Sequence, residues 1–298
     1  MDDRPDYEAK LQWLCEHIDL DQKVLHQELI EFPSIQFGLE QALLSVNASN
    51  MYDLFPSDFI QGKDNIPING LIWMGDKQFM QEQISLKLDQ GFSTLKMKIG
   101  AIDFDTELNI LQQIRSEYSA SSLELRVDAN GAFGVDEAMK KLQLLAEFDI
   151  HSIEQPIRAG QIEAMRKLCK ETTLPIALDE ELIGLIDLND KADLLKSINP
   201  QYIILKPSLI GGFQGSQEWI DLAEQNNIGW WITSALESNI GLNAIAQFTY
   251  SLNNKLPQGL GTGGLFDNNI DSPLFVSEGA LHYNPEQKWA KLKDFLAE

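Results

Sequence analysis

The sequence predicts an α/β protein built on a closed β/α barrel, and three observations lead to this fold class. From Pro67 onward, short apolar or β-branched runs alternate with helical stretches, which is typical of βαβ units and a parallel sheet. Eight candidate strands occur, and this number favours a closed barrel over an open, doubly wound sheet. The chain also has no glycine fingerprint for a dinucleotide and no P-loop, which weakens the open-sheet alternative further.

The N-terminal segment has a different, mostly helical pattern over residues 5–50. Its first predicted helix places apolar side chains three or four residues apart, at Tyr7, Leu11, Leu14 and Ile18. A second apolar helix is predicted over residues 34–47. Residues 51–66 contain Pro56 and Gly62 and are expected to form a loop.

The barrel elements follow in chain order. The candidate strands lie at residues 69–73, 94–99, 123–128, 152–154, 176–179, 202–206, 230–233 and 258–261. Helices predicted between them include residues 105–118, 136–147, 162–171 and 213–226. We therefore expect a partial, helical cap domain over residues 1–66, a barrel over residues 67–270, and a C-terminal segment over residues 271–298. This last segment is expected to pack back on the N-terminal helices through Trp289 and Leu292.

Composition limits the classes of partner. The 298-residue chain has a formal net charge of −22, so its surface repels nucleic acid and anionic membranes, and we expect neither as a partner. The first residues are polar and acidic, unlike a secretion signal. Apolar runs stay far below the roughly 18 residues that span a bilayer. These features predict a soluble, cytoplasmic protein, in which Cys15 and Cys169 are expected to be free, buried thiols.

Charged residues stand at or near the ends of five consecutive predicted strands. They are Lys96 and Lys98 on the second strand, Asp128 on the third, Glu154 on the fourth, Asp179 on the fifth and Lys206 on the sixth. Charges inside barrel strands are costly, and barrel chemistry collects at the C-terminal ends of the strands. The pattern therefore predicts that these six side chains share one site.

The three carboxylates of this set are predicted to bind a divalent metal ion. Adjacent strands lie about 4.8 Å apart, so Asp128, Glu154 and Asp179 should converge on a small volume. Three like charges would repel each other there unless a cation held them. All-oxygen ligands suit Mg²⁺ or Mn²⁺. The alternative is a set of salt bridges between these carboxylates and the three lysines.

The lysines are predicted to carry the proton chemistry. Lys96 and Lys98 are two apart on a strand and point to the same face, where mutual repulsion and burial should lower their pKa values towards those of a base. Lys206 lies four strands away and thus across the barrel. A small carboxylate substrate held by the metal would present its α-carbon between the lysines, and the metal would stabilise the enediolate that forms on proton loss.

The order of these residues resembles the enolase superfamily, in its branch that includes the muconate lactonising enzymes. The resemblance covers about residues 60–270. It implies that Asp128, Glu154 and Asp179 are metal ligands, that Lys98 is the acid/base with Lys96 as its pKa-lowering neighbour, and that Lys206 is the opposing lysine. The family implies a (β/α)7β-type barrel preceded by an antiparallel cap sheet. Since this chain begins with helices, we expect a reduced cap that lacks that sheet.

Within this branch, the segments RVDANGAF, SIEQPI, ALDEEL, LKPSLIGG, SALESNIG and GLGTGGLF resemble the o-succinylbenzoate synthases of menaquinone biosynthesis. This implies dehydration of a cyclohexadiene carboxylate that bears a succinyl group, with Lys98 removing the α-proton and helping the hydroxide leave. The turn around Ser234 and Leu236, together with Gly211 and Gly212, offers backbone N–H groups that could bind the succinyl carboxylate. The same glycines and turn could simply be helix caps.

Other readings differ in what the site must contain. A mandelate-racemase-type enzyme needs a histidine base on the seventh strand, but the histidines are His17, His26, His151 and His282. A dipeptide epimerase is expected to show Asp-x-Asp after the eighth strand, where Asp267 stands alone. An N-acylamino-acid racemase needs the same two lysines and stays open. A catalytically idle, truncated barrel also stays open because the cap is reduced.

Overall fold

The computed structural model describes residues 4–291 of the chain. Its helices and strands are α1 (Tyr7–Glu16), α2 (Gln22–Glu28), α3 (Pro33–Asn47), β1 (Ile66–Pro67), β2 (Gly70–Ile72), α4 (Lys77–Asp89), β3 (Thr94–Lys98), α5 (Phe104–Glu117), β4 (Glu124–Asp128), α6 (Val135–Ala146), β5 (Ser152–Glu154), α7 (Ile162–Glu171), β6 (Ile176–Leu178), α8 (Leu188–Ile198), β7 (Tyr202–Leu205), α9 (Gly212–Gln225), β8 (Gly229–Ile232), α10 (Asn239–Ser251), β9 (Leu274–Ser277) and β10 (Ala280–Tyr283). Single 3-10 turns lie at Glu180–Leu182, Pro207–Leu209 and Thr262–Gly264.

The strands β2 to β8 form a parallel, seven-stranded sheet in chain order. This arrangement confirms the first seven predicted strands to within one residue at each end. The predicted helices 105–118, 136–147, 162–171 and 213–226 correspond to α5, α6, α7 and α9, each within one residue. These helices and strands could be predicted from the sequence because the spacing of apolar residues and the length of each segment indicate the same type of element.

The predicted eighth strand, residues 258–261, is reduced to isolated bridges. Gln258 pairs with Ile68, and Gly259 pairs with Thr233, both in parallel orientation. The Gly259 N–H donates to the Ile232 carbonyl at 2.8 Å, and the Asn69 N–H donates to the Gln258 carbonyl at 2.9 Å. These bonds join the two edges of the sheet. The glycines in this stretch weaken regular pairing, which explains why a full strand does not form.

The interior of the barrel is filled below its charged rim. The Arg126 guanidinium lies 4.3 Å from the Trp231 ring, donates from Nη1 to the Pro257 carbonyl at 2.8 Å, and pairs with Glu124. The His151 ring lies 4.9 Å from the Tyr202 ring. The barrel is therefore a packed core, and space for a ligand remains at the C-terminal ends of the strands.

The N-terminal helices form a small core of their own and also contact the barrel. Leu14, Leu25, Leu29, Phe32, Ile35 and Leu39 are buried together. On another face of α3, Phe37 belongs to the main core and its ring meets Phe213 edge-on at 5.3 Å. The helical character predicted for this segment is thus confirmed, although α2 was not recognised as a separate element.

An antiparallel sheet that the sequence did not indicate is present, in the order β1, β10, β9. It joins residues just before the barrel to the segment after it. The hairpin turn between β9 and β10 uses Glu278 and Gly279, both at positive φ, as two-residue hairpins require. Two-residue β1 is too short to be recognised by alternation. The structure therefore does not confirm the prediction of a reduced cap that lacks an antiparallel sheet.

The segment after the barrel contacts the N-terminal part at Trp289, through a residue of the loop that follows α3, whereas the sequence predicts the N-terminal helices as its partner. The Trp289 ring stacks on Tyr52 with 4.2 Å between centroids, while Leu292 lies outside the described residues. Cys169 is buried and free, but Cys15 is exposed, so that half of the thiol prediction is wrong. Cys15 lies on the solvent side of α1, where only Leu14 is buried. None of the helices within residues 4–291 is both long and apolar enough to cross a membrane.

Candidate active site

Strand register places three of the predicted charged residues, Lys98, Asp128 and Glu154, on one level of the sheet. Lys98 is the register partner of Asp128, and Asp128 is the partner of Glu154 on the next strand. Because residues that are register partners on neighbouring strands point to the same face, their side chains meet inside the rim. The side chains of Asp128, Glu154 and Asp179 are almost completely buried.

Lys96 and Lys98 pair with the carboxylates of the neighbouring strands. The Lys96 Nζ donates to Asp128 Oδ2 at 3.1 Å and to Glu154 Oε2 at 2.7 Å. The Lys98 Nζ donates to the same Asp128 oxygen at 2.5 Å. Both ammonium groups thus approach one carboxylate, as the alternation on β3 predicted.

Lys206 follows β7 and donates to Asp179 Oδ2. Its side chain and those of Lys96 and Lys98 line one cavity of about 260 Å³ at the C-terminal ends of the strands. The structure therefore brings together all six charged residues that were predicted to share a site. The lysines enter the cavity from strands on different sides of the barrel.

The prediction of a lowered pKa, made for Lys96 and Lys98, is wrong for Lys96. Burial alone would lower the pKa of Lys96, but Glu154 and Asp128 outweigh it and hold that pKa well above its usual range. Burial also opposes the charge on Lys206, and Asp179 and Glu154 again raise its pKa. The reason is that carboxylates are the nearest neighbours of these ammonium groups, so attraction exceeds the repulsion between lysines.

The carboxylates respond unequally to the same environment. Burial would raise the pKa of Asp128, but Lys96 and Lys98 overcome this and lower it. Burial and the neighbouring Asp128 raise the pKa of Glu154 well above normal despite Lys96. Burial and the neighbouring carboxylate of Asp128 therefore disfavour the charged form of Glu154.

The donor set fits a divalent cation, although it is not preassembled around one. Glu154 Oε1 is buried and has no hydrogen-bond partner, so one carboxylate oxygen is left without a ligand. No group of three His, Cys, Asp or Glu side chains within residues 4–291 is placed so that it could hold a metal as it stands. Asp128 and Asp179 are instead turned towards lysines. Three carboxylates, one of them with an unpartnered oxygen, provide the oxygen ligands that Mg²⁺ or Mn²⁺ prefers.

Two further residues belong to this cluster and were not predicted from the sequence. Asn130 accepts from Lys98 Nζ through Oδ1 at 2.7 Å and donates from Nδ2 to Glu180 Oε1 at 3.0 Å. Asn130 is held at a positive φ of 42°, and its N–H donates to Asp128 Oδ1. Burial and Asp179 raise the pKa of Glu180. Asn130 lies two residues after the predicted ligand Asp128, and Glu180 directly follows the predicted ligand Asp179. This proximity is the signal that could have identified them.

The residues expected to contact a substrate carboxylate separate into two places. Ser234 and Leu236 line the lysine cavity. The Ser234 hydroxyl lies 2.5 Å from the Thr262 hydroxyl, which also faces that cavity. Gly211, in contrast, lines a separate cavity of about 110 Å³ beneath the N-terminal helices, and neither it nor Gly212 is among the residues around the lysines.

The start of α9 at Gly212 already binds a carboxylate of the chain itself. Glu40 of α3 accepts from the Phe213 N–H at 2.5 Å and from the Gln214 N–H at 3.2 Å. A side chain at Gly212 would bring its Cβ to 2.1 Å from Glu40 Oε2. The prediction that Gly211 and Gly212 bind substrate is therefore corrected: these glycines let α3 approach the helix end, and Glu40 takes the anion position.

The lysine cavity has an apolar and a polar part. Leu71, Trp73, Ile183, Leu209 and Leu236 are apolar lining residues, whereas the polar lining consists of the three lysines, Glu180 and the uncharged residues Asn69, Thr233, Ser234 and Thr262. A ligand that fits both parts has an anionic group near the lysines and an apolar body above it.

Comparison with known proteins agrees with this geometry. The family model described as "Enolase C-terminal domain-like" matches residues 80–287, and the chain belongs to this family, within the enolase superfamily. It is 54% identical over 250 residues to o-succinylbenzoate synthase of Desulfotalea psychrophila, covering 84% of this chain and 68% of that protein. It is 26% identical to L-Ala-D/L-Glu epimerase of Bacillus subtilis over 64% of this chain and 52% of the epimerase.

Solved structures give the same family. The crystal structure of MenC from Desulfotalea psychrophila superposes with a TM-score of 0.80 at 47% identity, over 92% of this chain and 80% of that one. Muconate cycloisomerase from Pseudomonas fluorescens also reaches a TM-score of 0.80, over 97% of this chain and 84% of that one. Its identity is 22%, so this second likeness shows the fold alone.

Proposed function

We propose that the protein is an o-succinylbenzoate synthase, a carbon–oxygen lyase that dehydrates 2-succinyl-6-hydroxy-2,4-cyclohexadiene-1-carboxylate in menaquinone biosynthesis. The observation that carries the reaction class is the pair Lys98 and Lys206 in one cavity above three buried carboxylates. The choice of substrate is supported by the synthase that is 54% identical. The cytoplasm is the proposed location.

Lys98 is the proposed acid/base. It removes the proton from the carbon next to the substrate carboxylate, and the electron pair of that C–H bond forms an enediolate. When the C–OH bond breaks, Lys98 returns the proton to the departing hydroxide, so that water leaves. Lys206 is the proposed cation that faces the negative charge that develops, and Lys96 holds Asp128 and Glu154 in place beneath Lys98.

Asp128, Glu154 and Asp179 are the proposed ligands of Mg²⁺, with Mn²⁺ as a substitute. The bound ion would supply positive charge beside the substrate carboxylate. Glu154 Oε1, which has no hydrogen-bond partner, is the proposed first ligand atom for this ion.

Ser234 and Leu236, which follow the seventh predicted strand, are proposed substrate contacts. The hydroxyl groups of Ser234 and of Thr262, which follows the eighth predicted strand, are the proposed donors to an anionic tail of the substrate. We also propose that residues 1–66 act as a partial cap, residues 67–270 as the catalytic barrel, and residues 271–298 as a closing segment. Contacts that support this division are the bonds from α3 to the start of α9 and the pairing of β1 with β10.

The test is turnover of the cyclohexadiene substrate by the purified chain with Mg²⁺, followed as o-succinylbenzoate formation. We expect activity in the parent and a loss of at least about a thousandfold in Lys98→Ala and Lys206→Ala, since each removes a group that acts at the reacting atoms. Lys170→Ala is the matched control, because Lys170 is exposed on α7, and it should behave as the parent.

Absence of turnover in a parent chain that still binds Mg²⁺ would contradict the synthase proposal. Racemisation of an N-acylamino acid, measured on the same samples, then separates a racemase from an idle barrel. The 54% identity to the synthase over most of the chain favours the synthase proposal over both the racemase and the idle barrel.

A further inference from the structure

Trp73 lies in the strand position next to the proposed base. The register of β2 and β3 pairs Leu71 with Lys96 and Ile72 with Met97. Continued by one residue, this register places Trp73 beside Lys98, with both side chains on the inner face because inward and outward residues alternate. In agreement, both Trp73 and Lys98 line the lysine cavity. Neighbouring strands are about 4.8 Å apart, so a substrate that reaches Lys98 also reaches the indole.

Several other tryptophans use their rings in contacts within the protein. Trp13 stacks on His17, Trp289 stacks on Tyr52, and Trp231 carries Arg126 on its face. Within residues 4–291, no ring contact or cation–π contact involves Trp73. Trp73 is half-buried, and it lines both the lysine cavity and a larger cavity of about 1090 Å³ that is bounded by α4 and β9.

The backbone of Trp73 is fixed from outside the sheet by one side chain. Trp73 follows the last residue of β2. The Gln83 side chain of α4 accepts from the Trp73 N–H at 2.9 Å and donates to the Trp73 carbonyl at 3.0 Å. These two bonds replace the pair that a neighbouring strand would make. They hold in place a residue that would otherwise be at a free strand end.

We propose that Trp73 is a specificity-determining residue whose indole contacts the ring of a cyclic carboxylate held between Lys98 and Lys206, and that Gln83 is its positioning residue. The inference rests on the proposed function for the choice of ring but on the register and the Gln83 bonds for its geometry. Large aromatic side chains contribute both area and preferred ring stacking. The site should therefore discriminate ring-bearing carboxylates from open-chain carboxylates of similar charge.

The experiment compares Trp73→Ala, Trp73→Phe and Gln83→Ala with the parent. Gln78→Ala is the control, because Gln78 lies on the same helix and its side chain donates to exposed Glu82. With Mg²⁺ present, we expect Trp73→Ala to raise KM and the Kd for o-succinylbenzoate by about tenfold or more and to change kcat by less than about threefold. Phe should restore most of the affinity. Gln83→Ala should shift KM in the same direction, by a smaller factor.

Adipate, an open-chain dicarboxylate, is the second probe, and its Kd should be nearly equal in the parent and Trp73→Ala. Equal Kd values for o-succinylbenzoate in these two proteins would overturn the inference, as would equal losses for both probes. A parent that binds o-succinylbenzoate through Trp73 but does not turn over the substrate would refute the proposed function and leave this inference standing. If the parent turns over the substrate and Trp73→Ala has unchanged KM and Kd values, the proposed function stands and this inference is refuted.

Discussion

Single side chains set the orientation of Lys98. Its Nζ has two acceptors, Asp128 Oδ2 at 2.5 Å and Asn130 Oδ1 at 2.7 Å. The second acceptor is itself fixed, because Asn130 donates to Glu180 and its own N–H bonds to Asp128. An amide that is tied at both ends orients the lysine without adding a charge to the site.

Replacing Asn130 by Ala should therefore remove the amide acceptor and misplace the Lys98 ammonium. We expect kcat for o-succinylbenzoate formation to fall by about 10- to 100-fold, since displacements of about 1 Å at a reacting group cost this much, while Mg²⁺ affinity changes little. Steady-state kinetics and calorimetric Mg²⁺ titration test this. Asn47→Ala, at the exposed end of α3, is the control, and an unchanged kcat in Asn130→Ala would show that Asp128 alone suffices.

The sequence could predict the charged set because each member sits inside or at the end of an apolar run, where a charge is unusual. It could not predict the pKa directions, which depend on the carboxylates at 2.7 Å and 3.1 Å from Lys96 rather than on the proximity of Lys98. It also missed Trp73 as a cavity residue, because an aromatic residue at a strand end has no signal of its own. Gly211 and Gly212 were wrongly predicted to bind substrate, because the sequence at a glycine-rich helix start does not reveal whether a ligand or a carboxylate of the protein binds its N–H groups.

At the scale of elements, α3 is joined to the turn that follows Lys206. Gln36 donates to the Gly211 carbonyl at 3.2 Å, and Glu40, one helical turn later, accepts from two N–H groups of α9. Burial raises the pKa of Glu40 to about 7, although those N–H donors favour its charged form, and Glu218 adds to the rise. A carboxyl group with a raised folded-state pKa favours folding most when it is protonated.

This contribution is present below the unfolded-state pKa, near 4.5, and is lost as the pH rises through about 7. We expect Glu40→Gln to remove this dependence. From pH 5 to pH 8, the parent should lose on the order of 2 kcal/mol of unfolding free energy relative to the variant. Urea denaturation at the two pH values measures the difference, and parallel pH profiles of the two proteins would contradict the assignment.

At the scale of the whole molecule, three buried carboxylates make folding costly unless a cation is bound. Any ligand that binds only the folded state stabilises it in proportion to the logarithm of its concentration over Kd. Mg²⁺ at about 100 times its Kd should thus add roughly 2.7 kcal/mol to the unfolding free energy. Thermal unfolding with Mg²⁺ and with a chelator should show a higher Tm in Mg²⁺.

Glu154→Gln should abolish most of this Mg²⁺-dependent rise in Tm, because it removes the carboxylate whose Oε1 has no partner. Glu171→Gln is the matched control, since Glu171 is exposed at the end of α7, and it should respond to Mg²⁺ as the parent does. An equal rise in Tm for all three proteins would mean that the ion stabilises the chain elsewhere.

The seam that closes the barrel has a consequence for how the chain reaches its native state. Between β8 and the residues that precede β2, closure depends on the short pairings of Gln258 and Gly259. Gln258 meets Ile68 across almost the whole length of the barrel sequence, and contacts so distant along a chain form late because the loop entropy must first be lost. We therefore expect the seam to form late in folding and to open early. Its amide protons should exchange with solvent ahead of those in β3 and β4, before the molecule as a whole unfolds.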